Sequence, residues 1–125
     1  LLASDVRPFQ ALRHTPWAMT AHVLYTAWDS RRPASASREI IHTVIRGHAG
    51  FKGILVSDDL TMKALRGSMP ERAEACLSAG CDLVLHCSGN LAEMTALSHI
   101  LSHAAESLEA RLQHSLQTEG AVLWA

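Results

Sequence analysis

Three cysteines, Cys76, Cys81 and Cys87, are few for 125 residues, odd in number and without a CxxC pair. This argues against a disulfide framework and a zinc knuckle, and it suits a reducing cytosol. An excess of one charge is also lacking: 11 Lys and Arg stand against 12 Asp and Glu, for a formal net charge of -1. No global field therefore draws nucleic acid or an anionic membrane, and neither is expected as a partner. No apolar run approaches the roughly 20 residues of a membrane helix. No basic, then apolar leader precedes the first block, although the chain opens on Leu1 and its natural start is not read from it. Histidine is plentiful but scattered. His99 and His103 lie four apart on an expected helix and read as surface residues rather than as a metal pair. What is present, 48% hydrophobic residues and a mean hydropathy of +0.08, is the composition of a soluble globular chain with one core.

The most informative stretch is FKGILVSDDLTM, residues 51 to 62. Ile54, Leu55 and Val56 show no polar alternation, which suits a strand buried on both faces of a parallel sheet, with Gly53 and Ser57 as its bounds. The run ends in two carboxylates, Asp58 and Asp59. Active-site residues of α/β barrels stand at such C-terminal strand ends, where side chains leave the packed interior. Adjacent residues of an extended chain face opposite ways, so the two are expected to differ in role.

Around this strand the periodicity predicts two more. Ala18 to Tyr25 carries Thr, Val and Tyr after Pro16, with His22 toward its C-terminal end; Cys81 to Cys87 has Leu83, Val84 and Leu85 at its centre. Between them, Ser37 is placed to cap a helix over 38–46 whose Ile40, Ile41, Val44 and Ile45 share a face, with Gly47 as its stop. Ser68 and Glu71 have capping-box spacing for a helix to about Ala79, ending at Gly80. Asn90 and Glu93 open a long final helix with Leu97, Leu101, Leu108, Leu112 and Leu116 as its buried stripe and Gly120 as its end. The order is β-α-β-α-β-α, strands recurring about every thirty residues, as in parallel βαβ units. A closed (β/α)8 barrel takes about 250 residues, so an α/β class with about three βα units of a TIM barrel is expected over residues 1–125.

The strand and its Ser-Asp-Asp-Leu-Thr-Met end resemble the nucleophile motif of family 3 glycoside hydrolases, in their bacterial β-N-acetylhexosaminidase branch. DVRPF from Asp5, AMTAHVLY from Ala18, RPA from Arg32 and AGCDLVLHCSG from Ala79 agree in order and spacing. The resemblance implies that Asp58 is the catalytic nucleophile of a retaining hydrolysis of terminal β-linked N-acetylglucosamine. It also implies muropeptides or glycosides containing that sugar as substrates, the bacterial cytoplasm as location, and no cofactor or metal. By the same resemblance the chain is the C-terminal part of its barrel, with N-terminal barrel units missing. The branch's proton donor resembles a His held by an Asp on a Lys-His-Phe-Pro-Gly-His-Gly loop, and no such loop occurs in residues 1–125.

Other residues carry blander readings. His22 is expected as a packed or hydrogen-bonded histidine at the barrel mouth, with a substrate contact or substitute acid as the weaker alternative. Met19 and Met62 read as packing residues, Trp17 and Trp28 as core or loop aromatics, and His86 and Cys87 as lining of the mouth. Two rival functions stay open: an inert fragment or interaction module, and a metal-dependent parallel-barrel enzyme whose acidic strand end holds the ion.

Overall fold

The computed structural model describes residues 4–101 and 106–118. A five-residue helix α1 (Arg7–Ala11) leads to β1 (Trp17–Met19), a 3-10 turn (Ala34–Ala36), a π-helix (Ile40–His48), β2 (Ile54–Asp59), α2 (Met69–Ala79), β3 (Leu83–Leu85), α3 (Leu91–Ile100) and α4 (Glu106–Thr118). The three strands form one parallel sheet in the order β1-β2-β3, with Trp17 opposite Ile54 and Val56 opposite Leu83. The stretch built around Asp58 is therefore the central strand, as its unbroken apolar run requires.

Alternation along the strands turns Ala18, Leu55 and Val84 toward the helices. There they pack with Ile41, Phe51, Leu60, Ala73, Cys76 and Leu97 in the hydrophobic core. Helix α2 meets this core through small residues, Ala73, Cys76 and Ala79, spaced three apart on one face. Its start is the expected capping box: Glu71 accepts both the backbone N–H and the hydroxyl of Ser68, and the helix ends at Gly80. Burial beside Cys76 pushes the Cys81 thiol up to about 12, so these two cysteines serve as small apolar fillers.

Three expectations change. The first strand stops at Met19, with one further ladder bond from the Thr20 N–H to the Val56 carbonyl. Beyond it, the carbonyls of Ala21 and Val23 accept from Ser35 and Ala34, so the 3-10 turn takes the backbone that the sequence assigns to β1. The helix after Ser37 is capped by the Ser37 hydroxyl on the Ile40 N–H, but it winds with i to i+5 bonds and passes through Gly47 to His48. The chain reverses instead at Gly50, where φ is +73°. The last helix is two: α3 ends at Leu101 in extended backbone, and α4 starts afresh. Leu116 is 66% exposed and Ser115 is buried in its place, so the leucine stripe does not run through; the expected end at Gly120 lies outside the described residues.

The N-terminal end of the sheet is closed by one carboxylate. Asp82, just before β3, accepts from the Leu55 N–H and from both Arg46 and Arg111 at 2.8 Å. The same two guanidiniums also donate to the Gly53 carbonyl, and Arg46 lies over the Phe51 ring. Gly53 admits the chain here, since a Cβ would come within 2.5 Å of the Pro16 carbonyl oxygen. Burial pushes the Asp82 carboxyl upward, but Arg111, the Leu55 N–H and Arg46 outweigh it and hold it below the ordinary aspartate range. Among the described residues no helix is long and apolar enough to cross a membrane.

Candidate active site

Strand β2 runs through Ser57, Asp58 and Asp59 rather than stopping at Val56, with Asp59 paired to Leu85 of β3. Ser57 fixes what lies between. It is fully buried, donates its hydroxyl to the Asp58 carbonyl at 2.7 Å and accepts the Leu85 N–H at 3.1 Å, stitching β2 to β3 beneath the site. Nothing in composition marks Ser57. Its signal is a small polar residue inside an otherwise apolar strand.

The two aspartates differ in how much of their hydrogen-bonding capacity is used. Asp59 accepts the Thr61 N–H at 3.0 Å and the Cys87 N–H at 3.1 Å on one oxygen, and the Thr61 hydroxyl on the other. It thus closes the turn after β2 and ties that turn to the end of β3. Burial raises its carboxyl, but the Thr61 and Cys87 donors, with His86 nearby, hold it below the ordinary value. Asp58, half-buried, accepts only the adjacent Asp59 N–H, at 2.9 Å on Oδ1. Its Oδ2 takes no hydrogen bond from the described residues. Asp58 falls at an irregularity of the ladder, since the pairing of β2 with β3 shifts register between Val56 and Asp59, a placement common beside active sites.

The loop that follows is held from below. Arg72 of α2 donates to the carbonyls of Leu60 at 2.8 Å, Met62 at 3.3 Å and Gly67 at 2.9 Å, spanning residues 60–67 with one guanidinium. Nothing in the sequence marks Arg72, because an arginine inside a helix pattern carries no local sign of the loop it reaches.

His22 is a strut. Its Nε2 lies 3.0 Å from the Asp59 carbonyl, which only accepts, so Nε2 carries the proton and Nδ1 accepts from the Ser35 hydroxyl at 2.5 Å. Both nitrogens are used, and the residue is buried. His86 is also packed inward rather than lining an open mouth: Nε2 meets Glu93 of α3 at 2.9 Å, and Nδ1 is buried without a partner among the described residues. That contact and the Ser88 hydroxyl lower the Glu93 carboxyl. Cys87 is exposed. Met19 and Met62 are 57% and 43% exposed, so the expected packing role is not what the structure shows: both lie beyond the helix-covered core. Trp17 donates to Ser115 at 3.1 Å, and Trp28 packs against Tyr25 with ring centroids 5.6 Å apart. His99 is exposed and His103 lies outside the described residues. Among the described residues no three His, Cys, Asp or Glu side chains are grouped to hold a metal.

The three-stranded parallel sheet packed against helices makes this an α/β protein, with a carboxylate whose second oxygen is uncommitted among the described residues at the C-terminal end of the central strand. Residues 1–118 match the glycosyl hydrolase family 3 N terminal domain, and the chain belongs to that family. It is 44% identical over 114 residues to a beta-hexosaminidase of Tolumonas auensis, covering 85% of this chain and 34% of that protein. With the beta-hexosaminidase of Bordetella pertussis the identity is 37% over 128 residues, covering 99% of this chain and 36% of the relative. The crystal structure of native NagZ from Neisseria gonorrhoeae superposes with a TM-score of 0.74 at 29% identity, over 97% of this chain and 37% of that one. The chain spans about a third of the length of these relatives. The matched domain is the family's N-terminal one, so the family's domain order gives no support to the expected C-terminal portion.

Proposed function

We propose that this chain carries the nucleophile of a retaining β-N-acetylhexosaminidase. Asp58 attacks the anomeric carbon of a terminal β-linked N-acetylglucosamine, and water then resolves the glycosyl-enzyme. The observation that carries the reading is the division of labour between neighbouring aspartates: Asp59 is committed to Thr61 and Cys87, while Asp58 keeps Oδ2 uncommitted on a strand end pinned by Ser57. A nucleophile needs both a free lone pair and a fixed backbone. The relatives' names, beta-hexosaminidase, support the sugar.

In this reading the chain corresponds to the later strand-helix units of the family's N-terminal barrel domain. The proton donor comes from barrel units outside residues 1–125, since the His-bearing loop is not in this sequence. His22 is not the donor: protonating a leaving group would require releasing either Ser35 or the Asp59 carbonyl. We extend the proposal to muropeptide substrates in the bacterial cytoplasm, on the resemblance to the bacterial branch alone. The test is hydrolysis of an aryl β-N-acetylglucosaminide. The 125-residue chain alone is expected to give no turnover, and the chain joined to the upstream units of a family relative is expected to turn over. Activity of the chain alone contradicts this assignment, and its loss in a His22→Ala variant that is still folded by circular dichroism makes His22 the donor.

A further inference from the structure

A groove of about 510 Å³ runs between the segment before the π-helix, the end of the loop after β2 and the outer side of α2. Four arginines line it: Arg31, Arg32 and Arg38 from the first wall and Arg66 from the second, against Ala75 and Ser78 of the third. All four are exposed. None of the four guanidiniums makes a hydrogen bond or ion pair with the described residues. This contrasts with Arg46, Arg72 and Arg111, whose guanidiniums are all engaged.

The carboxylates beside the groove are already occupied. Asp29, which feels the charge of Arg32, accepts the backbone N–H groups of Arg31 and Arg32 and the hydroxyl of Ser37, and these bonds keep its carboxyl below the ordinary range. Glu74 accepts the Ser78 hydroxyl. Four like charges in one concavity repel one another, and packing does not require them there. The cluster is local, because the whole chain carries a formal charge of only -1.

We propose that this groove is a binding site for a small multivalent phosphate-bearing anion, separate from the Asp58 strand end. Guanidinium forks match phosphate oxygens two at a time, and arginines on two walls of one groove suit a ligand with two or three linked phosphate groups better than a single phosphate. The volume lies in the range of small-molecule pockets, and the concave shape favours a compact ligand over an extended polyanion or a membrane surface. The proposal does not depend on the glycosidase reading, since both walls lie within this chain and Asp58 takes no part.

The probe is inorganic tripolyphosphate titrated into the 125-residue chain by calorimetry, with inorganic phosphate as the monovalent comparison. One-to-one binding is expected, weakening as salt rises. The double variant Arg38→Glu, Arg66→Glu is expected to lose about tenfold or more in affinity, the scale of one or two charged hydrogen bonds. Lys52→Glu, an exposed charge change at the far end of the sheet, is expected to leave binding intact. In the unmodified chain, backbone amide shifts on adding tripolyphosphate should gather in residues 31–38 and 64–66, a readout that needs no variant. Absence of saturable binding up to about 10 mM, a range that already admits very weak complexes, overturns the proposal. So does equal loss in Lys52→Glu, or shifts elsewhere. Tighter binding of a single-stranded oligonucleotide or of phosphatidylserine vesicles through the same arginines overturns the small-anion assignment.

Discussion

At the N-terminal end of the sheet Asp82 meets two guanidiniums and a backbone N–H, and its side chain is 17% exposed. At the C-terminal end Asp58 meets, among the described residues, only the N–H of its neighbour. Both carboxylates stand next to strand ends of the same sheet, yet the first has both oxygens engaged and the second keeps an oxygen free among the described residues. A saturated carboxylate is a fastener. It fixes β2, β3, the π-helix and α4 to one another, and its charge is cancelled where it stands. A carboxylate left with one local donor contributes little to the fold and remains available to a substrate. The difference lies in what surrounds each aspartate, not in the residue type.

The comparison is broken most severely by removing the fastener. Asp82→Ala should cost about 3 kcal/mol, because the Leu55 N–H and two guanidiniums lose their acceptor in a partly buried place; the urea midpoint measures it. The sign of its pH dependence is fixed. The folded-state value lies below the ordinary 3.8, so the unfolded chain takes up the proton first. The stabilisation is complete above about pH 5 and is lost as pH falls through the folded value. Asp82→Asn should therefore flatten the acid limb of a stability profile and leave its neutral-to-alkaline part without a new slope.

Next in size, His22→Ala should cost about 2 kcal/mol, leaving the buried Ser35 hydroxyl and the Asp59 carbonyl unpaired. Thermal melting of the variant tests the strut role. Asp59→Ala should cost about 1 kcal/mol, the usual loss of a capping acceptor. Its effect is sharpened by Thr61→Val, which removes the same hydroxyl bond from the other side. The two losses should be less than additive.

These sizes also show what the sequence disclosed and what it did not. Unbroken apolar runs located β2 and β3, and capping chemistry located α2 and the start of α3, because both signals are local. The end of β1 was not legible. Its residues 21–23 are as suited to a strand as those that form one, and they bond to the Ala34–Ala36 turn only because the fold brings that turn alongside. The π-winding after Ser37 has no periodic mark in the residues. At the site, adjacency of Asp58 and Asp59 announced two roles, but which oxygen stays free depends on Thr61 and Cys87, the latter 28 positions away. Arg72, Ser57 and Arg111 act at a distance along the chain, and pattern reading misses such partners.

The smallest effect on stability and the largest on chemistry should fall on the same residue. Asp58→Asn should shift the fold by about 0.5 kcal/mol or less, since an amide oxygen still accepts the Asp59 N–H. The direct measurement is to treat the chain, joined to the upstream units of a family relative, with a slow 2-fluoro β-N-acetylglucosaminide analogue and map the labelled peptide. Sugar attached to Asp58, and no label in Asp58→Asn while Asp59→Asn still labels, is the predicted result. Label on Asp59, or an inverted product with no covalent intermediate, contradicts the assignment of the free carboxylate as the nucleophile.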